Sequence, residues 1–200
     1  TVIYTFTDGN NNARGASVQQ NTWSLTLRIA ETSGTANTVV LGGSSNASDG
    51  QDDLDLPEPP APPQIPYLSA WFATSFSVPF NRLLQEYKHI PAQHMLWNLS
   101  ILWVSESDNS SSTTVTISWD PTQVALNGFN SFQLFDHDTV VANMLTKNSY
   151  SYTSNGTLHH FQIIGQTIPT NGAPRANDLG ISILIIVIIT AVLITYKRKK

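Results

Sequence analysis

At 200 residues the chain is long enough for one main hydrophobic core with short appendages. Charged residues make up 12% of it, against about 25% in an ordinary soluble domain, while Ser, Thr and Asn abound, as suits an extracellular β protein. Cysteine is absent, which excludes a disulfide framework and a thiolate metal site and leaves burial alone to hold the core.

The chain starts at Thr1 with neither methionine nor an apolar leader, as expected if a signal peptide has been removed or if the sequence is a piece of a longer protein. Val2, Tyr4 and Phe6 fall two residues apart. Trp23, Leu25, Leu27 and Ile29 then alternate with Ser24, Thr26, Arg28 and Ala30, the pattern of a half-buried strand. The stretch DGQDDLDLPEPPAPP follows, from Asp49 to Pro63. Its prolines cannot donate to a sheet ladder, which predicts an exposed polyproline II run over 56–66. Too few strands precede the run to close a core by themselves, so it is expected to cross between the sheets of one domain rather than link two domains.

Beyond the run, NRLLQEYKH is bounded by Pro79 and Pro91 and predicts an extended edge segment. Alternation returns in Trp97, Leu99, Ile101 and Trp103, in Val115, Ile117 and Trp119, in Phe132 and Leu134, and in Phe161 and Ile163. Between these runs lie SESDNSSS, NGFN and SNGT, all good turn chemistry. The predicted fold is all-β, an antiparallel β-sandwich of immunoglobulin-like or jelly-roll-like type.

The clearest physical signal lies at the C-terminus. Leu179 to Tyr196 runs 18 residues without a charge and is followed at once by KRKK. A helix of that length spans about 27 Å, close to the roughly 30 Å hydrocarbon core of a bilayer. The positive-inside rule places Lys197 to Lys200 in the cytoplasm and the rest of the chain outside. The expected organisation is a β-sandwich ectodomain over 1–168, a linker over 169–178, a transmembrane helix over 179–196 and a basic tail over 197–200. Residues 1–178 hold all fourteen acidic residues but six of the ten basic ones, a formal charge of −8, which argues against a nucleic-acid partner. An apolar segment with a basic tail is also the outline of a cleavable sorting signal. NGAPRANDLG holds no LPxTG-like motif, so permanent anchoring is the preferred reading.

Several groups invite chemistry. Asp49, Asp52, Asp53 and Asp55 could give oxygen ligands to Ca²⁺, though their spacing is not that of an EF-hand and further ligands must come from elsewhere; otherwise no cofactor is expected. Asp136-His137-Asp138, with His159 and His160, invites a metal or acid/base reading. Adjacent strand residues point to opposite faces, however, so these are expected to be surface groups that do not converge. No nucleophile elbow, zinc-protease motif or phosphate loop occurs, and no enzyme is expected. Trp71 could stack on a sugar if exposed, although packing in the core is the simpler expectation. Four sequons, at Asn46, Asn98, Asn109 and Asn155, mark candidate glycosylation sites; Asn109 and Asn155 lie in turns, whereas Asn98 lies inside a strand and is the least favoured.

The run ASDGQDDLDLPEPPAPP, the following YLSAWF, then VTISWDP, SFQLFDHDT and SYSYTSNGTLHHFQI resemble, over roughly Trp23 to Gln166, a β-sandwich module of secreted and surface proteins of bacteria and archaea. That module often precedes a C-terminal anchoring or sorting tail. The resemblance implies fold and location, and no activity. The expected function is therefore a membrane-anchored structural or adhesion domain at the cell surface. Its partners would be the bilayer, through the C-terminal helix, and surface proteins or glycans; a carbohydrate-binding module is the alternative.

Overall fold

The computed structural model describes residues 3–7, 13–17, 22–105 and 112–167. The chain divides into two units, Thr1–Ile168 and Pro169–Lys200. The second unit, and with it the segment 179–196, lies outside the described residues, as does Asn109. Among the described residues no helix is long and apolar enough to cross a membrane.

Strands β1 (Ile3–Thr7) and β2 (Ala13–Ser17) form a two-stranded antiparallel sheet of their own. The main sheet takes β3 (Thr22–Glu31), β4 (Ala36–Ser44), the two-residue β5 (Leu56–Pro57), β6 (Tyr67–Ala73), β7 (Arg82–His89) and β8 (His94–Val104). It continues with β9 (Thr113–Ser118), β10 (Ser131–Asp136), β11 (Thr139–Asn143), β12 (Ser149–Ser154) and β13 (His159–Gln166). One helical turn, α1 (Pro121–Val124), precedes β10.

Alternation makes these strands. In β3 the side chains of Trp23, Leu25, Leu27 and Ile29 are buried while Ser24, Thr26 and Arg28 are exposed. In β8 Met95, Trp97, Leu99, Ile101 and Trp103 are buried in the same phase. Each such side chain contributes about 1.5–3 kcal/mol by leaving water. The two strands supply facing walls of one core, where the Trp23 and Trp97 rings meet edge to face at 5.8 Å and Phe132 packs against both. Gly43 of β4 leaves room for the close approach of the Trp23 indole, since a Cβ there would stand 2.5 Å from Nε1.

The expected pair of antiparallel sheets is corrected in two respects. The strands form one continuous sheet in the order β11-β10-β13-β8-β6-β7-β4-β3-β9-β12, and β4 pairs β7 in parallel, from Val40↔Gln85 to Ser44↔His89. The long excursion from Ser45 to Asn81 supplies the crossover that a parallel pair requires. The sheet curls until its end strands β11 and β12 approach, so that it is nearly closed into a barrel. Trp119, just past β9, fastens the closure: its backbone N–H donates to the Asn148 carbonyl at 2.9 Å and its indole N–H to the Met144 carbonyl at 3.1 Å. Asp120 accepts from the Thr122 N–H at 2.9 Å and so caps α1, with Pro121 at the first helical position.

The segment expected at an edge, β7, is internal, between β6 and β4. Pro79 and Pro91 flank the strand without entering it, so 82–89 keeps every ladder donor it needs and Leu83 is fully buried. The proline run is partly held. Leu56 and Pro57 pair with β7, and the Glu58 N–H donates to the Arg82 carbonyl at 2.8 Å, while 59–65 are exposed. Strands on both sides of the run belong to the same sheet, β3 pairing β9 and β4 pairing β7.

Candidate functional site

The aspartate loop is wired mainly to backbone. Asp52 accepts from the N–H groups of Ser48 at 2.6 Å and Leu54 at 2.7 Å. Asp55, 7% exposed, accepts from the N–H groups of Asp52 at 3.2 Å and Tyr87 at 3.4 Å, which fastens the loop to β7. Burial pushes the Asp55 carboxyl above the usual aspartate range, and the nearby Asp52 adds to this. Asp49 and Asp53 are exposed. No three of the four carboxylates gather into a ligand-sized cluster.

A different group does converge. Asp136 ends β10, His137 and Asp138 form the two-residue turn before β11, and His159 opens β13. The β10–β13 register sets Asp136 opposite Phe161, which places His159 two residues further on, beside the turn. His137 takes φ 53°, the left-handed region, and its ring folds back so that Nδ1 lies 2.8 Å from Asp136 Oδ1. His159 Nε2 lies 2.9 Å from the same oxygen. The imidazole of His159 is fixed by the Tyr152 ring at 4.5 Å and the Phe161 ring at 4.6 Å.

Charge and burial act together here. Partial burial raises the Asp136 carboxyl, but hydrogen bonds from His159 and His137, and their charge, outweigh it and hold the group below the ordinary aspartate value. Tyr152 is pushed well up by burial and by the Asp136 charge; Tyr150, which is hydrogen-bonded to Asp136, is raised as well. The ionised Asp136 accepts, so the imidazole nitrogens that face it carry the protons. Beside the cluster an open depression of about 390 Å³ is bordered by His137, Asp138, His160 and Asn98.

Strand alternation, applied to Asp136-His137-Asp138, predicts divergence because it treats all three as strand residues. His137 is a turn residue with a left-handed backbone, so the period of two fails at that position. The partner on β13 depends on a long-range pairing that a single sequence does not display. The other two residues of the group stay apart: His160 lies on the opposite face, with Nδ1 3.0 Å from Ser100 Oγ, and Asp138 stands exposed at the turn.

Trp71 is 6% exposed and carries the Arg82 guanidinium 3.5 Å from its ring centroid, with Glu58 paired to Arg82. The sequon residues Asn46, Asn98 and Asn155 are exposed. Asn155 sits in a turn and accepts from the Thr157 N–H at 3.2 Å, while Asn98 lies within β8 and accepts from Gln162 at 3.3 Å. Comparison with protein-family models, curated proteins and solved structures finds no match.

Proposed function

We propose that the chain is a membrane-anchored cell-surface domain, structural or adhesive and without catalysis. The observation that carries this reading is the uncharged run Leu179 to Tyr196 followed by Lys197-Arg198-Lys199-Lys200, after 178 residues of net charge −8. The finer organisation follows from it: the β domain stands outside, 179–196 crosses as a helix, and the tail stays in the cytoplasm. A nearly closed sheet suits this place, because closure leaves few free strand edges to pair with neighbours on a crowded surface. At Trp71 a carbohydrate-binding reading finds a buried ring already covered by Arg82. Glycans are proposed at Asn109 and Asn155 ahead of Asn98, whose side chain stands over a paired strand.

The test is topological. Protease added to intact cells should digest the β domain and spare an epitope fused after Lys200, and mass mapping of the C-terminal peptide should find 197–200 retained. Loss of 197–200 from the mature protein would replace permanent anchoring with the sorting-signal reading. A β domain that resists protease until the membrane is breached would overturn the orientation.

A further inference from the structure

The convergence of Asp136, His137 and His159 has a use beyond anchoring, and it stands independently of that reading. One carboxylate oxygen and two imidazole nitrogens, supplied by two strands and a turn, lie within 4.8 Å of one another. We propose that Asp136 Oδ1, His137 Nδ1 and His159 Nε2 form a three-ligand site for a divalent first-row transition-metal ion such as Zn²⁺, with the remaining coordination position open to water.

The donor set selects the ion. Two imidazoles and one carboxylate suit Zn²⁺ and its neighbours, whereas Ca²⁺ takes six to eight oxygens and finds one side-chain carboxylate here. The spacing fits after a small adjustment. Bonds of about 2.0–2.1 Å at tetrahedral angles separate ligand atoms by about 3.3 Å, so the Asp136 oxygen and the two nitrogens, now 2.8 and 2.9 Å from it, must part by about half an ångström, while the two nitrogens, within 4.8 Å of each other, draw together. His137, with its side chain 80% exposed at a hairpin tip, is free to do so.

Binding exchanges each N–H donated to Asp136 for a nitrogen lone pair on the ion: from a neutral imidazole the proton passes to the other ring nitrogen, and from an imidazolium, whose other nitrogen is already protonated, it is released to water. His159 is held for this by the Tyr152 and Phe161 rings, which fix the direction of Nε2. The His137 backbone adds a second indication. A two-residue hairpin turn with a left-handed first position favours Gly, and a histidine there costs conformational energy, as residues kept for a site commonly do. The competing explanation is a hydrogen-bonded trio that only fastens the β10–β11 turn to β13.

The experiment uses the 200-residue chain in detergent, stripped with chelator and titrated with Zn²⁺ by calorimetry, with Co²⁺ as an optical probe. One equivalent of Zn²⁺ should bind and raise the melting temperature by linkage. Asp136→Asn and His159→Ala should each weaken binding more than about tenfold, the smallest loss expected even for a supporting residue. His137→Gly is the decisive variant: glycine suits the turn, so the melt should stay near that of the parent while Zn²⁺ affinity falls as in the other two. All three should lose the Co²⁺ ligand-field absorption, and His160→Ala should keep it. The metal site is overturned if the parent binds no Zn²⁺, if the three variants bind as well as the parent, or if His160→Ala loses as much as they do.

Discussion

The molecule carries two aspartate-bearing turns that behave in opposite ways. In the loop 48–55 four aspartates lie within seven residues, and the two that are held, Asp52 and Asp55, turn their oxygens to backbone N–H groups. At the β10–β11 turn a single carboxylate, Asp136, faces two imidazoles. The density of acids along the chain therefore marks a structural loop, while convergence of unlike donors from separate strands marks the candidate site. The pKa directions follow the same division. Asp55 is raised by burial and Asp136 is lowered by its histidines.

The largest effect should come from Asp55. Replacing it with alanine leaves the Asp52 and Tyr87 N–H groups without their acceptor and frees the loop from β7. The expected loss is about 2 kcal/mol by chemical denaturation, within the range for buried polar groups left unsatisfied. Little or no loss would show that relief of a buried charge offsets the broken bonds, and would erase the contrast between the two turns.

Acid titration should sharpen the contrast with a smaller effect. The folded pKa of Asp136 lies below its unfolded value of about 3.9, so its stabilising contribution is present above that pH and is lost as pH falls through the folded pKa. Asp136→Asn should thus cost less than about 1 kcal/mol near neutrality, with the gap to the parent closing below about pH 4. Asp55 has the opposite sign. Its folded pKa is raised, so its charge opposes folding above that pKa, and acidification relieves the penalty down to the ordinary aspartate value. The smallest changes should come from the exposed Asp49 and Asp53, where alanine should stay within about 0.5 kcal/mol of the parent.

Much of the fold was legible in the sequence because alternation reports burial directly. Trp23 to Ile29, Trp97 to Trp103 and Phe161 to Ile163 all lie in strands in the predicted phase. Sheet continuity and the parallel β4–β7 pair were not legible, since a half-buried strand looks alike beside any neighbour. Pro79 and Pro91 suggest an edge position for β7, but they limit only its length. The residues of the candidate site were visible and their meeting was not. Asp136 and His137 are adjacent in sequence and yet face each other only because one backbone angle turns positive, and His159 arrives through a pairing with no local signature.

Residue-resolved NMR of the chelator-treated chain, titrated first with Ca²⁺ and then with Zn²⁺, tests the contrast most directly. Millimolar Ca²⁺ should leave the backbone amides of 48–55 in place, and one equivalent of Zn²⁺ should then shift the imidazole resonances of His137 and His159 together while those of His160 stay put. Amides of 48–55 that move with Ca²⁺, with His137 and His159 indifferent to Zn²⁺, would contradict the account and return the metal to the aspartate loop.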